Sequence, residues 1–156
     1  MKRIYKIGSL LDAQTDVIAH QVNCQGVMGS GIAKQIREKW ANVYTAYKAE
    51  YDLFTDLNKP LLGNCQLVQV NDHQHVANLF GQDKYGYDGK RYTSYDGIYN
   101  ALTNLAFQME NNNMNSIAFP YRMSSDRGGA DWNVVLAMIE SVFKDTDVTI
   151  EIWKLI

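Results

Sequence analysis

The stretch VIAHQVNCQGVMGSGIA, from Val17 to Ala33, runs an apolar segment into Gly26, Gly29 and Gly31 and then into a helical pattern. Glycine loses more backbone freedom on folding than any other residue, so such a cluster marks a turn that something must approach closely. An apolar strand, a glycine turn and a helix in direct succession open an α/β unit, and the rest of the chain repeats that alternation. Residues 2–7 (KRIYKI), 17–22 (VIAHQV), 66–70 (QLVQV), 75–80 (HVANLF), 116–119 (SIAF) and 148–153 (VTIEIW) read as strands by β-branched or alternating apolar content. Helical spacing joins Ile32, Ala33, Ile36 and Trp40 in a stripe that continues through Tyr44, Tyr47 and Tyr51. Ile98, Leu102, Leu105 and Met109 form a second stripe, and Val135, Met138, Ile139, Val142 and Phe143 a third. Strands alternating with helices of this length imply an α/β fold with a largely parallel or mixed sheet covered on both faces.

No linker or repeat divides the chain, and its 156 residues suit one domain spanning 1–156 with its own core. The run ENNNMN at 110–115 reads as a helix end and turn, and GYDGKRY at 86–92 as a mobile loop. Lys and Arg number 15 against 17 Asp and Glu, a balance that gives no footprint for non-specific binding along a nucleic-acid duplex. Cys24 and Cys65 are the only cysteines, too few for a disulfide framework, and a free thiol at Cys24 fits a reducing compartment. The N-terminus lacks a signal-peptide core and no run approaches the roughly 20 apolar residues of a membrane span. The expectation is a cytoplasmic monomer without membrane contact.

The glycine loop sits where a helix begins. The first N–H groups of a helix have no intrahelical partner and lie at the positive end of its dipole, so a phosphate can approach them where no β-carbon obstructs. The alternative is a turn that only packs the helix on the sheet. A second loop of the same kind follows SIAF: PYRMSSDRGGADW, from Pro120 to Trp132, carries Gly128 and Gly129 ahead of a helix that Asp131 can cap. Two such loops at the carboxyl ends of strands can face one another across the sheet edge and clasp a diphosphate. Neither matches the dinucleotide fingerprint GxGxxG or the P-loop GxxxxGK[ST]. His73 and His75 share a strand face without an acid or cysteine beside them, so no metal site is expected.

HQVNCQGVMGSGIAKQIREKW, from His20 to Trp40, resembles the macro domain family, in particular its ADP-ribose-1''-phosphate phosphatase and ADP-ribosyl hydrolase branch. The resemblance continues through VANLFGQDKYG, KRYTSYD, FPYRM with RGGADW, and the closing TIEIW, covering nearly the whole chain in order. It implies a three-layer α/β/α sandwich with a central mixed, mostly parallel sheet. It also implies a site for ADP-ribose or a related nucleotide, with the diphosphate between the loops and the terminal ribose near the first loop, and no cofactor.

Carried onto this chain, the resemblance assigns phosphate binding to Gly29, Ser30, Gly31 and Ile32, flanked by Gly26, Val27 and Met28, and to Ser124, Ser125, Asp126, Arg127 and Gly128. Asn23 matches an asparagine near the terminal ribose; its other reading is a side chain that closes the turn. His20 is similar to a histidine of the phosphatase-like branch, and would act as proton donor or acceptor if it reaches the pocket; a strand histidine is more often a satisfied core residue. Tyr121 and Arg122 lie beside the second loop, where a ribose or phosphate contact is expected. Tyr85, Tyr87, Tyr95 and Tyr99 read as loop exposure or helix packing.

Four departures from the family pattern bear on chemistry. Ser9 and Leu10 stand where many macro domains carry an adenine-recognising aspartate and an aliphatic residue, so adenine must be met otherwise, by Asp12 or a backbone amide. Ser124 replaces a glycine. Asp126 lies within the second phosphate loop, where a carboxylate aimed at a diphosphate would repel it, so it must point away, pair with Arg122 or Arg127, or serve as a base. Gln82 occupies the position where one branch has a lysine nucleophile, and Lys84 lies two residues on.

Three functions are therefore expected candidates. The first is removal of the terminal phosphate of ADP-ribose 1''-phosphate, with His20, Asn23 and Asp126 as catalytic candidates. The second is hydrolysis of ADP-ribosyl groups on protein or nucleic acid, and the third non-catalytic binding of ADP-ribose.

Overall fold

The computed structural model describes residues 1–156. Six strands form one sheet: β1 (Lys2–Ile7), β2 (Val17–Asn23), β3 (Cys65–Gln69), β4 (His75–Gln82), β5 (Ser116–Pro120) and β6 (Thr149–Lys154), in the order β1-β6-β5-β2-β4-β3. Every neighbouring pair is parallel except β3 and β4. Four helices follow, α1 (Gly31–Lys39), α2 (Ala41–Asp56), α3 (Tyr95–Asn111) and α4 (Trp132–Phe143), with a 3-10 turn at Leu10–Asp12. No helix is long and apolar enough to cross a membrane.

The sheet is covered on both faces because its central strands are apolar on both. Val17 and Ala19 of β2 pack with α3 and α4 through Leu102, Leu105, Val135 and Ile139. Ile18 and Val22, one residue out of phase, pack with α1 and α2 through Ile36, Val43 and Tyr47. These are the three layers of an α/β/α sandwich with a mixed, mostly parallel sheet.

Two local expectations need correction. The stripe from Ile32 to Tyr51 is not one helix: Trp40, at φ −131° and ψ 84°, ends α1 and begins α2. A continuous helix from Gly31 to Asp56 would run roughly 40 Å, past strands of at most eight residues, or about 26 Å. The break lets Ile36 and Tyr47 both meet the sheet. His73 is not on a strand either; its N–H donates to Asn71 Oδ1 in the turn before β4, which begins at His75. No group of three His, Cys, Asp or Glu side chains gathers closely enough to hold a metal ion.

The topology also places a crevice. β2 and β5 are paired only at Val17 with Ile117 and Ile18 with Ala118, after which β2 stays with β4 through Asn23. Beyond β2 the chain turns to α1 and α2 on one face, and beyond β5 to α4 on the other. Adjacent parallel strands whose connections leave in opposite directions open a gap at their carboxyl ends.

Candidate functional site

The loop after β2 is built around Tyr47. Its fully buried hydroxyl accepts the N–H groups of Gly26 and Val27, both at 3.1 Å, and reaches Asn23 O at 2.8 Å and Oδ1 at 2.7 Å. Asn23 completes the clasp: Nδ2 donates to Val27 O at 2.9 Å and Oδ1 accepts from Gln25 N–H at 3.0 Å. The asparagine amide is thus engaged in closing the turn. Gly26 serves the same turn, with φ at +77° and the Tyr51 ring where a β-carbon would lie.

Past this clasp the backbone is open. Ser30 is the N-cap of α1 but its hydroxyl makes no cap bond, so the N–H groups of Gly31, Ile32 and Ala33 have no acceptor in the protein. Gly31 has φ at +60° with nothing within 4 Å of where a β-carbon would sit, and at Gly29 only Val27 Cγ1 comes near, at 3.8 Å. Helix dipole and free donors together make this an anion-binding terminus.

The second loop, residues 121–131, holds two non-glycine residues in the left-handed region, Arg122 at φ 62° and Ser124 at φ 69°. Such conformations cost of order 1 kcal/mol each and persist where surroundings enforce them. At Ser124 the enforcement is visible: its Oγ donates to Gln21 Oε1 at 2.6 Å and its carbonyl accepts from Thr93 Oγ1 at 2.9 Å. Gln21 Nε2 in turn donates to Thr93 Oγ1 and to Gln82 Oε1. Gly128 and Gly129 let the loop cross residues 90–93 closely; the Gly128 carbonyl accepts from both Tyr92 and Thr93 N–H. The N–H groups of Ser124, Asp126, Arg127 and Gly128 have no acceptor within the protein. Asp126 accepts from Arg122 Nε at 3.1 Å, so of its three readings the pairing with Arg122 is the one the structure contains.

The two loops line one cleft of about 490 Å³. Its walls include His20, Asn23, Val27, Met28, Gly29, Ser30, Gly31 and Ile32 on one side, and Tyr121, Arg122, Ser124, Ser125, Asp126, Arg127 and Gly128 on the other. Three predicted residues lie outside the lining. Gly26 is turned into the Tyr47 clasp, Leu10 is buried in the core beneath α1 and α2, and the Ser9 hydroxyl caps the 3-10 turn by accepting from Leu11 N–H. Asp12 is absent from the lining as well, while Leu155 contributes to it.

A third segment closes over the cleft. The Tyr85 N–H donates to Gln25 Oε1 at 3.0 Å, and the Tyr87 hydroxyl to Ser30 Oγ at 3.3 Å. The Arg127 guanidinium lies 4.7 Å from the centre of the Tyr87 ring. Tyr87 therefore spans from the first loop to the second. Exposure and loop position alone describe Tyr85 and Tyr87 incompletely, since both line the cleft. Tyr95 and Tyr99 begin α3; the Tyr95 hydroxyl accepts from Asp131 N–H, and Asp131 caps α4 through Asn133 N–H.

The titratable groups are subdued. Burial lowers His20 from 6.5 to about 4, opposed by its hydrogen bond to Asn78, so the imidazole is neutral at pH 7. Cys24 is pushed up to about 12, first by burial and then by the charge of Asp83, which keeps the thiol protonated and poorly nucleophilic. Sequence reasoning missed the residues that support the loops rather than form them: Tyr47, Gln21, Thr93 and Asn78. The available signal was two adjacent polar residues, His20 and Gln21, inside a strand covered on both faces.

Comparison with known proteins agrees with this architecture. The Macro domain family model matches residues 19–139. The DNA ADP-ribosyl glycohydrolase of Mycobacterium tuberculosis (strain ATCC 25618 / H37Rv) is 29% identical over 152 residues, covering 94% of this chain and 41% of that protein. The chain thus spans about two-fifths of that relative's length. The solved macrodomain of Mycobacterium tuberculosis DarG superimposes with a TM-score of 0.82 at 27% identity, over 97% of this chain and 96% of that one. Thermosipho africanus DarTG, solved in complex with ADP-ribose, shares the fold at TM-score 0.77 and 16% identity, over 96% of this chain and 41% of that one. With its loops, sheet order and matched span in agreement, the chain belongs to the macro domain family.

Proposed function

We propose that the cleft binds ADP-ribose or an ADP-ribose derivative and that the chain hydrolyses it, removing the terminal phosphate of ADP-ribose 1''-phosphate. The observation that carries the binding half is the pair of facing loops whose N–H groups, at 31–33 and at 124 and 126–128, have no acceptor in the protein. Convergent backbone donors suit a diphosphate, whose charge they meet without a metal ion or a lysine. Arg122 and Arg127 add cationic charge at the second loop, although Asp126 offsets part of the first.

The reaction half is supported by how the first loop is covered. The bonds from Tyr85 to Gln25 and from Tyr87 to Ser30 bridge the end at which a macromolecule attached to the distal ribose would have to leave. This cover favours a small nucleotide over a bulky conjugate, for which the segment would have to move. Gln82, bonded to Gln21 and to the Lys84 carbonyl, supplies no nucleophile, and water is the attacking group in this reading. Water adds, the bond to the terminal phosphate breaks, and ADP-ribose and inorganic phosphate leave. Donors fixed on the anion before reaction are the main catalytic asset of such a site.

The mycobacterial relative, a DNA ADP-ribosyl glycohydrolase, favours a second reading, release of ADP-ribosyl groups from DNA. One experiment separates the two. Purified protein is titrated calorimetrically with ADP-ribose, with AMP and NAD as comparisons, then incubated with ADP-ribose 1''-phosphate and with ADP-ribosylated DNA. Micromolar binding, about −8 kcal/mol, with phosphate release only, supports the first reading. Release of ADP-ribose from DNA supports the second, and binding without turnover supports a non-catalytic module. No binding refutes the ADP-ribose site.

A further inference from the structure

His20, Asn78 and Gln66 form one row across three strands. Asn78 of β4 is in register with His20 of β2 and with Gln66 of β3. All three side chains are linked: His20 Nε2 lies 2.6 Å from Asn78 Oδ1, Asn78 Nδ2 donates to Gln66 Oε1 at 3.0 Å, and Gln66 Nε2 donates to Ala46 O at 2.9 Å and Glu50 Oε2 at 3.2 Å. His20 Nδ1 is buried and has no partner in the protein, although His20 forms part of the cleft wall.

The polarity of this row follows from its far end. A backbone carbonyl can only accept, so Gln66 must turn its amide nitrogen toward Ala46 and its oxygen toward Asn78. Asn78 must then donate to Gln66 and present its own oxygen to His20. An oxygen facing Nε2 requires the proton on Nε2, which leaves Nδ1 with a bare lone pair. The Glu50 carboxylate reinforces the same direction by taking the second hydrogen of the Gln66 amide.

We propose that Gln66 and Asn78 are positioning residues that carry the polarity of the Ala46 carbonyl to His20, fix its Nε2–H tautomer and hold Nδ1, which water does not reach, as a hydrogen-bond acceptor for a ligand hydroxyl that displaces the atoms covering it. The identity of that hydroxyl as the nucleotide's rests on the ADP-ribose reading above; the tautomer does not. A lone pair repels a phosphate oxygen and attracts a donor, so His20 selects against an anion at its own position. It serves neither as proton donor nor as phosphate ligand. Burial agrees with this, since it keeps the ring neutral at pH 7.

Long-range proton–nitrogen NMR of uniformly ¹⁵N-labelled protein reads the tautomer directly. The chain has three histidines, and His20→Gln identifies the signal of interest by its loss. The expected spectrum shows protonated Nε2 and unprotonated Nδ1; a proton on Nδ1 overturns the proposal. Gln66→Met, which touches neither His20 nor the cleft lining, frees the Asn78 amide to turn over and should give a mixture of tautomers. A single unchanged tautomer in that variant overturns the relay. Addition of ADP-ribose should then shift the Nδ1 resonance. Binding without that shift overturns the acceptor role but not the nucleotide site, whereas no binding overturns the nucleotide site and leaves the tautomer measurement standing.

Discussion

Replacing Tyr47 by phenylalanine removes one oxygen and tests whether the first loop is held from below. The ring keeps its stacking on Phe80, 5.7 Å between centres. What is lost is the acceptor for Gly26 N–H, which is buried, and for Val27 N–H, which is part-buried, with the contact to Asn23. Burial pushes the Tyr47 hydroxyl well above its usual range, so it stays protonated and cannot be replaced by a charge. A buried unsatisfied donor costs about 1–3 kcal/mol, and groups that water can reach add roughly half a kcal/mol each. The expected loss is therefore about 2–3 kcal/mol, or roughly 5–10 °C in Tm for a domain of this size. Urea unfolding should show a lower midpoint with an unchanged m-value. Tyr44 supplies the control, because its ring lies 6.3 Å from Tyr47 and its hydroxyl has no partner in the protein. Tyr44→Phe should stay within about 0.5 kcal/mol of wild type. A Tyr47→Phe protein as stable as wild type, or an equal loss in Tyr44→Phe, would refute the clasp.

His20 binds fewer protons folded than unfolded between about 4 and 6.5, so its contribution to stability is complete above pH 6.5 and is lost as pH falls toward about 4. Between pH 7 and pH 5 the wild type should lose about 2 kcal/mol more than His20→Gln by urea unfolding; parallel losses would show that His20 is not buried neutral. Gly29→Ala meets only Val27 Cγ1, at 3.8 Å, and should leave stability within about 0.5 kcal/mol while weakening ADP-ribose at least about tenfold by calorimetry, about 1.4 kcal/mol. Equal affinity would mean that no phosphate approaches this backbone. Tyr87→Ala cuts the bridge between Ser30 and Arg127 and should speed both association and release of ADP-ribose in stopped-flow mixing; unchanged rates would show that residues 85–87 do not cover the cleft.

The sheet was legible because its central strands are short apolar runs bounded by turn residues, whereas the apolar run from Val134 to Ile139 sits inside a longer stripe at helical spacing. Boundaries moved by a residue where hydrogen bonding overrode side-chain character: Val70 reads as strand, yet its N–H closes the turn onto Gln74 O and β3 ends at Gln69. The tyrosine stripe after Trp40 was harder, because helical spacing carries no record of a break that tertiary packing imposes. The two loops were visible through their glycines and strand ends. Their supports were not, since Gln21 meets Thr93 and Ser124 across separations of 72 and 103 residues, and a polar pair inside a buried strand signals that partners exist without saying which they are.

Glycine density in the first loop is not one signal but a sum of different demands. Gly26 is required by the fold itself, through its positive φ and the Tyr51 ring against it. Gly31 is required by its φ, yet the space above it is open, so its conformation and its accessibility have separate causes. Gly29 has neither a positive φ nor a close neighbour, and alanine would be cheaper there in the unfolded chain. Only Gly29 therefore needs something outside the protein to account for it, together with the open side of Gly31. The residues that argue for a ligand are those the fold leaves unexplained, and here they lie beside the N–H groups of α1 that the protein leaves unpaired.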